Sequence, residues 1–192
     1  LVLNNFINPD KILKLSTEKI SEKHPKNKKL FVFIGRLDDS SKKVSRAINL
    51  VKNLPDVNLL IVGDGPDRKM YEDLTIKSNL LKQVIFVGQK KNPYPYIGLA
   101  DYIILTSDYE GFPVTYLEAI TLNKKILTTI DVSDDSINIG KDYATIISTD
   151  EKKMLKDVEN ELKNPRKTKT IDIKEIQKSR IVEFEKLFDG VI

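Results

Sequence analysis

Two carboxylates and a few cations carry the chemistry this chain offers. Glu110 and Glu118 lie in the stretch Ser107-Asp-Tyr-Glu-Gly-Phe-Pro-Val-Thr-Tyr-Leu-Glu118. That stretch leaves an apolar run, Tyr102–Leu105, turns at Glu110-Gly111 and enters a helix with Pro113 near its first turn, where proline is best tolerated. A strand that ends, turns on glycine and opens a helix aims free backbone N–H groups at one point, which makes an anion site. Amide donors for an anion, beside carboxylates that accept from hydroxyls, suit a sugar phosphate or a nucleotide sugar. Arg36, with Lys42 or Lys43 after it, supplies a planar fork and a point charge for a diphosphate.

Each feature has a plainer reading. The cations can be surface charges on a loop, and the glutamates a loop carboxylate and a solvated helix carboxylate. Gly63-Asp-Gly-Pro66 looks like a phosphate turn but lacks the third glycine of the dinucleotide fingerprint and the Walker lysine. A tight turn before a proline-started helix is favoured there. Tyr94 and Tyr96 are read as packing residues in preference to a stacking platform for a base.

Composition excludes several classes. There is no cysteine, so neither a disulfide framework nor a thiolate metal site is available. The one histidine, His24, lies in a polar stretch, which argues against a zinc site or a Ser-His-Asp triad. The chemistry must rest on carboxylates, cations and backbone amides. The net charge of +4 reflects a lysine-rich solvated surface, because acids and bases alternate in most helices. Nucleic-acid binding is not expected, since no aromatic-basic interleaving occurs. The basic stretch from Lys163 to Lys169 is the exception to the mixed charge. A solvated loop is its favoured reading and a peripheral contact with anionic membrane the other. Apolar runs are of strand length, no signal-peptide pattern opens the chain, and the absence of an initial Met marks it as an expected fragment.

The elements that must position these residues follow from periodicity. Leu30–Ile34, Asn58–Val62, Val84–Val87, Tyr102–Leu105 and Lys125–Thr129 are short apolar runs rich in β-branched residues, the pattern of strands buried on both faces. Tyr143–Ile147 is a sixth, weaker strand. Helices are expected from Ser40-Ser41 to about Asn53, with Val44, Ala47, Ile48 and Val51 on one face, and from Pro66 to about Ser78. Others run from the Asn92–Tyr96 loop to near Ala100, through the Glu118 segment to about Leu122, and over 150–162 and 172–188. Asn8-Pro9-Asp10 caps a short entry helix, and 131–141 reads as a loop.

This alternation predicts an α/β fold: a Rossmann-like three-layer α/β/α sandwich around a parallel sheet of about six strands. The common strand order 3-2-1-4-5 opens a crevice between strands 1 and 4 at their carboxyl ends. That topology brings Arg36, after strand 1, to the Glu110-Gly111 turn, after strand 4. A flavodoxin-like or receiver-like binding module shares the architecture. Receivers place acidic clusters at strand ends, however, and strand 1 here ends in Gly35-Arg36.

In order and spacing, Phe33-Ile-Gly-Arg-Leu37, Ile61-Val-Gly-Asp-Gly-Pro66, Val84-Ile-Phe-Val-Gly88, Ala100-Asp101, Ser107–Pro113 and Leu117-Glu-Ala119 resemble the carboxyl-terminal half of the group 1 (family 4) glycosyltransferases, which have the GT-B fold. The resemblance covers most of residues 1 to about 150. It implies a linker and entry helix over 1–29, a nucleotide-sugar-binding domain over 30–165 and a C-terminal crossover helix over 166–192. The partner implied is an amino-terminal acceptor-binding domain that this chain lacks.

The same resemblance assigns the residues. Arg36 and Lys42 contact the donor phosphates, Lys42 being selected when Val44 is aligned with the apolar residue that follows the family lysine. Val114 and Thr115 meet the phosphates through their amides. Glu110, Gly111, Phe112 and Pro113 meet the donor sugar, with Glu110 at the reacting centre, and Glu118 holds the ribose. Gln89 and Lys90 lie near the base. Asn123 stands where relatives often have a helix-ending glycine, and asparagine also adopts the left-handed conformation. The implied donor is a UDP-sugar, no metal or other cofactor takes part, and transfer retains the anomeric configuration. The implied acceptor is a polysaccharide or a lipid-linked sugar, and the implied location is the cytoplasm or the inner face of the membrane.

Overall fold

The computed structural model describes residues 7–22, 27–110, 114–131 and 144–167. Six parallel strands form one sheet: β1 (Lys29–Ile34), β2 (Val57–Val62), β3 (Val84–Gly88), β4 (Tyr102–Leu105), β5 (Lys125–Thr128) and β6 (Ala144–Ile146). The spatial order is β3-β2-β1-β4-β5-β6, the expected common order 3-2-1-4-5 with β6 added beyond β5. The helices between them are α1 (Pro9–Leu15), α2 (Val44–Lys52), α3 (Arg68–Lys77), α4 (Tyr94–Leu99), α5 (Val114–Thr121) and α6 (Glu151–Lys163). None of the described helices is long and apolar enough to cross a membrane. The expected helix over 172–188 and most of the expected loop over 131–141 lie outside the described residues.

Strand side chains alternate between two cores. Phe31, Phe33, Leu59, Ile61, Tyr102 and Ile104 face α2, α3 and α6. Leu30, Val32, Leu60, Val62, Ile103 and Leu105 face α4 and α5. All six residues of β2 are buried, as a central parallel strand covered on both faces requires. Phe31 and Tyr102 meet edge-to-face with ring centroids 5.5 Å apart, the arrangement aromatic quadrupoles favour. The predicted apolar face of α2 is fully sequestered: Val44, Ala47, Ile48 and Val51 have no exposed surface.

Two helix starts differ from expectation. Helix α2 begins at Val44 rather than Ser40, because Lys43 is left-handed (φ 49) and interrupts the helical path. Ser40 instead donates its hydroxyl to Asp38 at 2.5 Å. Helix α3 begins at Arg68, since Pro66 and Asp67 remain in the turn that packs against the β1 loop. Elsewhere the local chemistry matches: Asn8 caps α1 by accepting from the Lys11 N–H at 3.0 Å, and Asn123 leaves α5 with φ 52.

Candidate active site at the carboxyl edge of the sheet

The strand order reverses direction between β1 and β4, and loops leaving these neighbours in opposite directions open a crevice. Their register, Phe31 opposite Tyr102 and Val32 opposite Ile103, brings both carboxyl ends to the same edge. The β1 loop is then laced to the end of β4. The Asp108 N–H donates to the Ser41 carbonyl at 2.9 Å, and the Thr106 hydroxyl to the Lys43 carbonyl at 2.9 Å. Arg46 reaches across from α2 to the Thr106 carbonyl at 3.0 Å and the Asp108 carboxylate at 2.5 Å.

This lacing sorts the two lysines. Lys42 Nζ stands 2.7 Å from both oxygens of Glu110, while Lys43 Nζ pairs with Asp108 at 3.8 Å. The left-handed backbone of Lys43 turns the two side chains to different partners. Glu110 is nearly buried, with 9% of its side chain exposed against 26% for Lys42. Its Oε1 also accepts from the Ser107 hydroxyl at 2.5 Å, and Ser107 is itself fully buried. Glu110 is therefore a pre-positioned acceptor in the turn after β4, held by the Lys42 ammonium and the Ser107 hydroxyl.

A cleft of about 560 Å³ opens over the ends of β1, β2 and β3, on the β2 side of β1 rather than between β1 and β4 as the strand order had suggested, and its lining includes neither Lys42 nor Glu110. Arg36, Gln89 and Lys90 line it together with the Gly63–Pro66 turn. Arg36 is exposed at its margin and enters no ion pair among the described residues. The turn serves packing, as the plainer reading had it. A Cβ on Gly63 would fall 1.8 Å from the Gly35 carbonyl oxygen, and one on Gly65 would fall 2.3 Å from that of Leu37. Backbone bonds close the seam, from Gly35 N to the Val62 carbonyl (3.1 Å) and from Leu37 N to the Asp64 carbonyl (3.0 Å). The glycines thus let one loop rest directly on the other, and Gly35, Gly63 and Gly65 all line the cleft with Arg36.

Lys90 is not a free cation at the cleft. Its Nζ pairs with Glu22 at 2.7 Å and sits 5.8 Å over the Tyr96 ring, whose hydroxyl also donates to Glu22 at 2.7 Å. Burial pushes the Glu22 carboxyl up, but the hydrogen bonds from Lys90 and Tyr96 outweigh it and bring the pKa down to about 2. Tyr96 is a packing residue, 4% exposed. The Tyr94 hydroxyl lies near enough to Glu118 on α5 for the two to influence each other's ionisation. Burial raises the Glu118 pKa above the ordinary 4.5, and the Tyr94 hydroxyl offsets only part of that.

The predicted residues thus fall into three separate groups. Arg36, Gln89 and Lys90 border the cleft, Lys42 and Glu110 form one ion pair, and Glu118 sits against Tyr94. Val114 and Thr115 open α5 and are half-buried; Gly111, Phe112 and Pro113 lie outside the described residues. Sequence reasoning assigned no part to Ser107, Glu22 or the Arg46–Asp108 bridge. A buried serine at a strand end and a glutamate in a polar linker carry no local pattern, and only long-range contact reveals them.

Comparison with known proteins bears on the fold and the family. An uncharacterized glycosyltransferase of Methanocaldococcus jannaschii is 28% identical over 134 residues, which cover 67% of this chain and 33% of the relative. The chain thus spans about a third of that relative's length. The solved lipopolysaccharide outer core galactosyltransferase WaaB superposes with a TM-score of 0.65 at 20% identity, over 77% of this chain and 44% of WaaB. Anabaena HepE, solved in complex with UDP-glucose, superposes with a TM-score of 0.61 at 17% identity, over 72% of this chain and 40% of HepE. Both share the parallel α/β fold and extend well beyond the region matched here. The family model "Glycosyl transferases group 1" matches residues 16–176, which displaces the flavodoxin-like and receiver-like alternative: the chain belongs to the group 1 glycosyltransferases, with the Rossmann-like fold of one half of a GT-B enzyme.

Proposed function

We propose that this chain is the donor-binding half of a retaining glycosyltransferase that uses a nucleotide sugar, a UDP-sugar in the first instance. The observation that carries this reading is the Lys42–Glu110 pair at the β1/β4 reversal, with Arg36 leaving the end of the same β1 strand at the margin of the cleft over β1, β2 and β3. A cation pair suits a diphosphate, and a nearly buried carboxylate suits sugar hydroxyls. The complex of HepE with UDP-glucose supports the choice of donor.

In this reading Arg36 and Lys42 hold the diphosphate and neutralise the charge that develops as it leaves, so that fixed charges do the work of a metal. The Val114 and Thr115 amides at the start of α5 add donors. Glu110, Gly111, Phe112 and Pro113 receive the sugar, Glu118 the ribose, and Gln89 with Lys90 border the base. The acceptor is held by a domain outside this chain, in keeping with the share of its relative that it spans. A polysaccharide or lipid-linked acceptor at the cytoplasmic membrane face fits the lipopolysaccharide substrate named for WaaB.

Isothermal calorimetry of the 192-residue chain with UDP and UDP-glucose tests the reading. Binding is expected for both, with Arg36→Ala and Glu118→Ala each weakening it about tenfold or more, the loss of one good charged or bidentate contact. A folded wild-type sample that binds neither ligand overturns it.

A further inference from the structure

The Lys42–Glu110 pair has a consequence for ligand choice that rests on the function proposed above. Each group is the other's partner in the structure: Nζ lies 2.7 Å from both carboxylate oxygens. Glu110 has 9% of its side chain exposed, and its other donor is the buried Ser107 hydroxyl. A diphosphate that recruits Lys42 withdraws the cation from a carboxylate with little water to replace it. Leaving one member of a buried ion pair without its partner is far costlier than exchanging both partners together.

We infer that this pair makes the site select an intact nucleotide sugar over the bare nucleoside diphosphate. A nucleoside diphosphate offers Lys42 a new anion and gives Glu110 nothing in return. A nucleotide sugar offers both at once: its diphosphate takes the ammonium while its sugar hydroxyls donate to the carboxylate. The pair is therefore a placeholder that only the two-part ligand replaces in full. It also favours release of the spent nucleotide, because Glu110 recaptures Lys42 once the sugar has gone.

The test compares affinities for UDP and for UDP-glucose by calorimetry in wild type and Glu110→Gln, with thermal melting to confirm folding. Glutamine is close in shape and neutral, so it no longer competes for Lys42. Glu110→Gln is expected to bind UDP about tenfold more tightly than wild type, in proportion to a charged hydrogen bond no longer broken. Its affinity for UDP-glucose should not rise by the same factor, so the preference for the sugar-bearing ligand shrinks. Glu110→Asp keeps the charge but withdraws it by one methylene, and should shift UDP affinity in the same direction by a smaller factor. This variant carries the test if the glutamine form does not fold. Unchanged or weaker UDP binding in the variants overturns the inference alone, provided wild-type binding still depends on Arg36. Absence of any nucleotide binding in wild type removes the donor-site reading itself, and the inference with it.

Discussion

Single atoms decide the shape and ionisation of the site. Gly63 has φ +145 and no room for a methyl group, since its Cβ would meet the Gly35 carbonyl oxygen at 1.8 Å. Backbone atoms cannot yield as a flexible side chain can, so Gly63→Ala must push the two loops apart. It is expected to cost about 3 kcal/mol, measured as a shift of the urea unfolding midpoint, while a neutral outcome would show that the seam is pliable. Glu118 illustrates ionisation. Burial holds its folded pKa above 4.5, so its neutral form stabilises the fold below the unfolded pKa, and that stability is lost as pH rises through the folded pKa. Glu118→Gln does not titrate. Its stability relative to wild type should therefore grow between about pH 4 and about pH 8. A constant difference between the two proteins across that range would contradict the shift.

At the level of elements, polar clamps hold the layers where apolar contact alone would let them slide. Asp101 closes the start of β4 onto β1: its carboxylate accepts from the Leu30 N–H at 2.8 Å, and its own N–H donates to the Leu30 carbonyl at 2.9 Å. This accounts structurally for the Ala100-Asp101 motif. Helix α6 is fastened to the sheet through Glu161, 4% exposed, which accepts from the Tyr102 hydroxyl (3.2 Å), the Thr145 hydroxyl (2.9 Å) and the Arg166 N–H (3.1 Å). Lys125 stands 3.9 Å away. Glu161→Leu keeps the volume but strips these donors of their acceptor, at an expected cost of about 2 kcal/mol in urea unfolding. Glu161→Gln retains an acceptor and should cost less. Equal losses for the two variants would mean that charge, rather than hydrogen bonding, fastens the helix.

Across the whole molecule, the entry segment is tied to the Lys90 end of the cleft. Asn92 donates its side-chain amide to the Leu15 carbonyl at 3.0 Å and to Glu18 at 2.9 Å, while Glu22 holds Lys90 and Tyr96. The segment leaving α1 and the loop after β3 therefore behave as one unit. A double-mutant cycle of Glu22→Ala and Lys90→Ala should give a coupling energy of about 1 kcal/mol near neutral pH, since both groups are partly exposed. The Glu22 carboxyl titrates near 2 in the fold against 4.5 ordinarily. Its stabilisation is thus fully present above the unfolded pKa and lost as pH falls through the folded one. The coupling should consequently survive at about pH 5.5, and its disappearance there would refute the assignment.

Much of this architecture is legible from local pattern. Short apolar runs, three of them ended by glycine, marked five strands to within a residue or so, because strands buried on both faces are dominated by apolar side chains. Alternation with helices implied the parallel sheet, and the sheet implied the β1/β4 crevice with Arg36 and Glu110 on its two sides. Glycines at Gly35, Gly63 and Gly88, with Asn123, marked turns whose positive φ the structure bears out. Local pattern did not determine which lysine meets Glu110, because that depends on the left-handed Lys43 and on hydrogen bonds between loops far apart in the chain. Nor did it determine that Ser107 buries its hydroxyl against Glu110, that Glu22 claims Lys90, or that the Gly63–Gly65 turn packs backbone on backbone. Periodicity records which face of an element is apolar. The partner of a polar side chain is chosen by desolvation and charge among residues that only folding brings together, so it was the tertiary structure that decided the wiring of this site.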